Sequence, residues 1–376
     1  MSEAGTTAVR GGGEAAGSGG SADLRQRLAA RARELGFDAV GVARADEPLG
    51  DDFERYEAFL DAGMHGTMAY LAEHREARRR LDGEAILVGA KSVICLARRY
   101  GRGGEGQGEG VVDAIARYAR GRDYHSFLRK RLRQLAKFVR GLAPGVEARA
   151  LLDTAPVLER AWAARSGLGF VGKNGLIIVP GQGSYVLLGE VVTTLALPPD
   201  VPMRERCGSC TRCLDACPTG AFVRPFVLDA RRCIAYLSIE HRGPIDEELR
   251  PGLGGHLFGC DACQEACPFN AARLPPAPSS EAFAPLPAWR ALGLEGLLEL
   301  EPGSWDRLAE SSPLQRAGEA SVVRNAITAL ANRGQAAEFA PALERLAATH
   351  PDAAVREHAA WALGLPREGA TGASVG

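Results

Sequence analysis

The sequence predicts three units: an α+β (α/β-like) N-terminal domain, a ferredoxin-like two-cluster domain, and an α-helical C-terminal region of HEAT-like repeats. Three observations predict them. Helical and strand-like stretches alternate through about residues 23–200. Eight of the nine cysteines fall into one pattern between Cys207 and Cys267. A Val-Arg phrase recurs in a helical tail.

Residues 1–22 are mostly Gly, Ala and Ser, lack the apolar stretch of a signal peptide, and are expected to be a disordered tail. Leu24, Leu28, Ala32 and Leu35 then recur at helical spacing, Gly36 breaks the helix, and Ala39–Ala43 reads as a strand. Residues 85–97 give a second buried strand, and the glycine-rich stretch Gly101–Gly110 a loop. A basic helix is expected over 117–140, and short strands over Ala148–Leu152, Leu176–Val179 and Tyr185–Thr193. These make the 23–200 domain.

The cluster domain is expected over 201–275. Cys207, Cys210, Cys213 and Cys217 read C-x2-C-x2-C-x3-C before Pro218. Cys233 follows alone, then Cys260, Cys263 and Cys267 before Pro268. Eight thiolates suffice for two [4Fe–4S] clusters, and in this motif the fourth cysteine ligates the other cluster. The rule allots Cys207, Cys210, Cys213 and Cys267 to one cluster, and Cys217, Cys233, Cys260 and Cys263 to the second. Zinc usually takes isolated C-x2-C pairs, and disulfides need no proline after each run. Single-electron transfer follows from the cluster reading.

Pro-rich text at 274–280 marks a linker into the helical region 276–376. There Val323-Arg324 recurs 32 residues on as Val355-Arg356, each followed by an Ala-Leu pair. That suggests paired helices of a HEAT-like solenoid. Two repeats cannot bury a core alone, so they should pack on the preceding domain.

With 46% hydrophobic residues the chain can fill ordinary cores, and at net charge −1 no global field steers it to a polyanion. Nucleic acid would need a local patch. Between Arg117 and Arg140 lie nine basic residues opposed only by Asp123, which makes Arg129, Lys130, Arg131 and Arg133 candidate phosphate contacts. Arg324 and Arg356, near helix starts in the tail, are a second candidate set. No apolar run is long enough to span a bilayer, and the expected location is the cytoplasm. No full G-x-G-x-x-G fingerprint opens a helix after a strand, so a resident dinucleotide is not favoured.

The phrase Asp153-Thr154-Ala155-Pro156-Val157-Leu158-Glu159-Arg160, followed by the glycine-rich 167–174, combines with RYARGRDYH and the two cysteine runs. Together they resemble the epoxyqueuosine reductase family over about residues 23–365. The resemblance implies a cobalamin domain, an eight-cysteine ferredoxin domain and often a HEAT-like extension. It implies removal of the epoxide oxygen of epoxyqueuosine in a tRNA anticodon loop, the last step of queuosine synthesis. It also implies base-off cobalamin, and electrons from an external low-potential donor passing through two clusters. The partner is then tRNA carrying epoxyqueuosine, and the chain is expected to act as a monomer away from membranes. The start of a D-x-H-x-x-G cobalamin motif at Asp123 ends in Leu128 instead of Gly, so no histidine of that motif should ligate cobalt.

Asp153 is the catalytic acid that the resemblance implies. A carboxylic acid in a dehydrated pocket has a raised pKa and can protonate the alkoxide of an opening epoxide. The alternative is that Asp153 caps a helix over Pro156–Arg165. Gly169, Gly172, Lys173 and Asp261 are the candidate cobalamin contacts, with closure of their own loop as the alternative for the glycines. Glu159 and Arg160 read as a pair on the helix face, and Cys95 as a small buried residue. Two other functions fit the cysteines: a cobalamin- and iron–sulfur-dependent reductive dehalogenase, and a ferredoxin-type electron carrier without enzymatic activity.

Overall fold

The fold is that of a computed structural model, which describes residues 18–101, 110–271, 274, 283–301 and 303–364, and only the backbone of 18–22. Helix α1 (Ser18–Glu34) starts inside the stretch expected to be a tail, whose residues 1–17 lie outside the described ones. Gly36 ends it at φ 85°, where its N–H and that of Phe37 bond the carbonyls of Arg33 and Ala32. Strand β1 (Ala39–Arg44), α2 (Asp51–Asp61) and α3 (Arg75–Arg79) follow. Strand β2 spans Ser92–Arg99 with every residue buried. The expected strand at 85–97 was half right: residues 85–91 form turns, with Gly89 at φ 73°. A short apolar run does not by itself separate strand from buried turn. The glycine-rich loop lies outside the described residues over 102–109.

Helix α4 (Tyr124–Arg140) covers only the second part of the expected basic helix. Asp123 caps it by accepting the His125 N–H at 2.9 Å, and residues 117–123 precede it as a 3-10 turn and bends. Its apolar residues Leu128, Leu132, Leu135, Ala136 and Val139 recur along one buried face. Then come β3 (Ala148–Leu151), α5 (Glu159–Arg165), the hairpin β4 (Phe170–Val171) with β5 (Ile177–Ile178), and β6 (Val186–Thr193).

Strands β1, β2, β6 and β3 form one sheet in that order, with all neighbours antiparallel. That makes the N-terminal part α+β. Helices α1 and α4 bury one face, around Leu28, Ile94, Leu132 and Val191. Helices α2 and α5 bury the other, around Tyr56, Val93, Trp162 and Val192.

The cysteine-rich segment contains α6 (Arg212–Asp215), β7 (Phe222–Arg224) paired with β8 (Val227–Leu228), α7 (Ile234–Ile239) and α8 (Ala262–Glu265). The linker expected at 274–280 lies outside the described residues except for Leu274. The remaining helices are α9 (Pro287–Ala291), α10 (Ser304–Leu308), α11 (Glu319–Asn332), α12 (Ala340–Thr349) and α13 (Ala353–Gly364). Their core takes in Val111, Ile115, Leu257, Phe258, Trp289, Val322, Leu343 and Val355, so the tail packs on both preceding segments.

The two Val-Arg phrases fall on α11 and α13, but the buried equivalents are offset by 33 residues, as in Ala326/Ala359 and Ala329/Ala362. Arg324 and Arg356 are therefore not equivalent. Arg324 is 1% exposed and donates to the carbonyls of Leu237, His241 and Gly243. The expectation that Arg324 contacts phosphate is thereby corrected: the charge is sealed inside, serving the carbonyls at the end of α7. Arg356 folds back on the carbonyls of His350 and Pro351 before α13.

Candidate active site

Asp153 stands just past the end of β3, beside the first turn of α4. Its carboxylate accepts a hydrogen bond from the Tyr124 hydroxyl and faces His125 Nε2 at 2.9 Å. The other ring nitrogen, Nδ1, meets Asp123 Oδ1 at 2.5 Å. Burial opposes a charge on His125, but the bonds to Asp123 and Asp153 outweigh it and raise its pKa to about 9. The imidazole is then protonated at neutral pH and donates from both nitrogens. Burial, with the Asp153 charge behind it, pushes the Tyr124 hydroxyl far above its ordinary value, so it stays a donor.

The capping alternative for Asp153 does not hold. Helix α5 begins at Glu159, with Leu158 at its cap position and no side-chain cap bond. The expected pairing of Glu159 with Arg160 is also corrected. Arg160 donates to the Gly175 carbonyl at 2.6 Å, while Glu159 turns inward and one of its oxygens is buried without a protein partner.

Cys207, Cys210, Cys213 and Cys267 line one cavity of about 220 Å3, together with Lys173, Asn174, Ile178 and Phe269. Among the described residues no three His, Cys, Asp or Glu side chains converge as one bound ion would require. These thiols surround a space instead of a point. The other four also lie together: burial raises the pKa of the Cys260 thiol to about 12, with Cys233 and Cys217 adding to the effect, and Cys263 is raised by burial and then by Cys260 and Cys233. Backbone donors point at sulfur in this second set, from Ala221 to Cys217 at 3.3 Å and from Ala262 to Cys260 at 3.5 Å, the kind of bond that tunes a cluster's potential.

The two regions touch. Gly259, next to Cys260, adopts φ 71° where a Cβ would collide with Ala116 and approach the Tyr118 ring. Tyr118 in turn meets Tyr124 edge-on at 6.0 Å between ring centres. One aromatic pair therefore separates the second cysteine run from Asp153.

The four expected cobalamin contacts serve the protein itself. Lys173 Nζ donates to the carbonyls of Gly208 at 2.5 Å and Cys210 at 2.9 Å, holding the first cysteine loop. A Cβ at Gly169 would strike the Ile178 carbonyl, so that glycine is needed where β4 pairs with β5, whereas one at Gly172 would meet only the ends of the Ile178 and Asn174 side chains. Asp261 accepts from the Arg117 N–H at 2.8 Å and the Gln264 amide at 2.9 Å. Of the expected basic contacts, Arg129, Lys130 and Arg133 are exposed on α4, whereas Arg131 lies over the Phe127 ring at 3.4 Å and donates to the Phe127 carbonyl.

Sequence reasoning missed Tyr124 and His125 as partners of Asp153. The signal was present: an Asp cap followed two residues on by His, opening an amphipathic helix. Only the fold brings that helix start to a carboxylate 28 residues away from His125.

A carboxylate pinned by a phenol and an imidazolium, with two groups of four cysteines behind it, defines an iron–sulfur oxidoreductase that joins electron delivery to proton transfer. Residues 206–270 match the family model described as a 4Fe-4S double cluster binding domain, and residues 80–154 match Epoxyqueuosine reductase QueG, DUF1730. The chain is 42% identical to an epoxyqueuosine reductase of Gloeobacter violaceus over 82% of this chain and 96% of that protein. It is 37% identical to the epoxyqueuosine reductase of Escherichia coli over 90% and 89%. A crystal structure of an epoxyqueuosine reductase with an epoxyqueuosine-modified tRNA-Tyr stem loop superposes with a TM-score of 0.82 at 32% identity, covering 92% of this chain and 90% of that one. This chain belongs to the epoxyqueuosine reductase family. The dehalogenase and electron-carrier readings are set aside by that membership.

Proposed function

We propose that this protein reduces epoxyqueuosine to queuosine in the anticodon loop of tRNA, with electrons passed through two [4Fe–4S] clusters. The observation that carries the reading is Asp153 held by Tyr124 and His125 within one aromatic pair of the second cysteine run. Removing an epoxide oxygen as water leaves an alkene and consumes two electrons and two protons. Asp153 places a proton on the oxygen as a C–O bond breaks. That proton is the one His125, bonded at 2.9 Å, shares with the carboxylate, and the Tyr124 hydroxyl holds its orientation.

The cavity lined by Cys207, Cys210, Cys213 and Cys267 supports their assignment to one cluster, with Cys217, Cys233, Cys260 and Cys263 holding the other. Cobalamin rests on the family resemblance. The fit is mixed: both His125 nitrogens are engaged, which suits a cobalt without a histidine ligand, but Lys173 and Asp261 already bond within the protein. Bound next to Asp153, it would supply a strongly reducing metal centre. The exposed face of α4 is the phosphate-binding surface in this reading, from which an unstacked loop base can reach Asp153. Helices α11 to α13 are read as a HEAT-like extension, behind an N-terminal cobalamin unit over 23–200 and a cluster unit over 201–275. An external low-potential carrier supplies the electrons, and the chain works as a monomer in the cytoplasm, where tRNA is modified. Among the described residues no helix is long and apolar enough to cross a membrane.

Mass spectrometry of tRNA tests the function. A strain deleted for the gene should accumulate epoxyqueuosine, the wild-type chain should restore queuosine, and Asp153→Asn should lose roughly a hundred- to ten-thousand-fold in rate. Both proteins should carry about eight irons per chain. Near-normal turnover by Asp153→Asn would reject Asp153 as the acid.

A further inference from the structure

Glu190 sits in the middle of β6 on the sheet face that α5 covers. It is 0% exposed, and neither carboxyl oxygen has a protein partner. Cys95 on β2 and Leu151 on β3 stand directly across from it. Asp153 is two residues past Leu151. Helix α5 brings Glu159 over the same face in its first turn, with one buried, unpartnered oxygen, and Trp162 one turn on, whose indole N–H is also buried without a partner. An unpaired carboxylate is not stable in such a place and takes up a proton. Burial comes first in raising both pKa values; the Asp153 charge adds to it for Glu159, which reaches about 7, and the Glu159 and Asp153 charges add to it for Glu190, which is raised well above its ordinary range. The ionisable groups facing this pair are Cys95 on β2, Asp153 after β3, Tyr124 and His125 on α4, and Arg160, whose guanidinium is turned to the Gly175 carbonyl. A fully buried carboxyl without a bonded partner, Glu190, and a half-buried one with an unpartnered oxygen, Glu159, thus lie behind the proposed acid.

We propose that Glu159 and Glu190 are a buried proton reserve that recharges Asp153 during each reduction. The inference rests on the function proposed above. Epoxide to alkene plus water needs two protons on the departing oxygen, and a His125 imidazolium bonded to Asp153 shares one proton between them. The second reaches Asp153 from Glu159, which Glu190 refills. The electrons come from the clusters, two protons are consumed and replaced from solvent between turnovers, and one water is released. Glu159 and Glu190 act through Asp153 and do not touch substrate.

Two variants test it, Glu159→Gln and Glu190→Gln, each replacing a protonated carboxyl by a neutral group of like shape. The readouts are the infrared carbonyl band of a protonated carboxyl at neutral pH and the pH profile of single-turnover reduction with excess reductant and epoxyqueuosine tRNA. The band should be present in wild type and diminished in each variant. Both variants should turn over about tenfold more slowly, short of the hundredfold or more expected for losing a catalytic acid. Wild type should slow above about pH 7 as Glu159 loses its proton, and Glu159→Gln should lose that limb while keeping its iron and its tRNA affinity. If Glu190→Gln does not fold, Glu159→Gln and the wild-type band decide. Variants with wild-type rate and profile, or wild type without the band, overturn the reserve while Asp153→Asn still reports on the function. Wild type that leaves epoxyqueuosine unreduced overturns both.

Discussion

Arg324 buries a guanidinium that sequence alone assigns to the surface. Its donors serve three carbonyls at and beyond the end of α7, and Asn325 beside it bonds the carbonyls of Ser238 and Leu257. Arg324→Met should cost about 3–5 kcal/mol, because it strands buried polar groups whose partner has gone. Denaturant unfolding measures this, and the salt dependence of tRNA binding should not change. Asp153 was singled out because it stands in the phrase that carries the family resemblance. Tyr124 and His125 were not, since their partner is distant in the chain and a histidine beside a cap reads as local structure. Glu159 was misread for a related reason: helical spacing gives a face but does not say which face is buried.

Helix α4 joins a buried apolar stripe to an exposed basic face, and each half has its own consequence. Its apolar side closes the sheet over Leu128, Leu132 and Leu135, so surface changes should leave folding alone. Reversing Arg129, Lys130 and Arg133 to Glu should weaken tRNA binding. It should also flatten the plot of log affinity against log salt by about three units, roughly one for each lost phosphate contact. Binding titrations at several salt concentrations, with unfolding curves as control, measure this. An unchanged slope would move tRNA to another surface. The amphipathic pattern of α4 was readable in the sequence, but the start of the helix was not. The Asp123 cap sets it at Tyr124, seven residues after the basic run begins.

For the whole molecule, the C-terminal helices share a core with Val111 to Ala119 and with Leu257 and Phe258, so one apolar cluster joins segments far apart in sequence. Removing residues 312–376 would open that core, and point variants are the better probes of tRNA docking. At the centre of the joint His358 Nε2 accepts the Ile245 N–H at 3.0 Å, and Nδ1 meets the Thr328 hydroxyl at 2.8 Å. Burial, then the nearby Arg250 and Arg324 charges, lower its pKa to about 2. The unfolded chain takes up a proton near pH 6.5 and the folded one does not, so stability present above that pH is lost as pH falls from about 6.5 toward 2. The slope from this one group should approach about 1.4 kcal/mol per pH unit. The stability difference between wild type and His358→Asn, followed by thermal unfolding between pH 7 and 5, isolates this slope from the opposing one of Glu159 and Glu190.

The sequence by itself determined the eight-cysteine framework and the family, and singled out Asp153 as the proposed acid, because spacing along the chain is enough to specify a ligand pattern and a motif. It also determined that the tail is helical and needs a partner, because its apolar residues exceed what two short helices can cover. Only the tertiary structure decided which charges are free. Arg324, Asp261 and Lys173 read as surface or ligand groups and bond within the protein, and Glu159, read as part of a surface pair, turns inward with an oxygen left unpartnered. Burial depends on what the rest of the chain lays over a residue, and the energy of a buried charge depends on partners that local sequence does not contain.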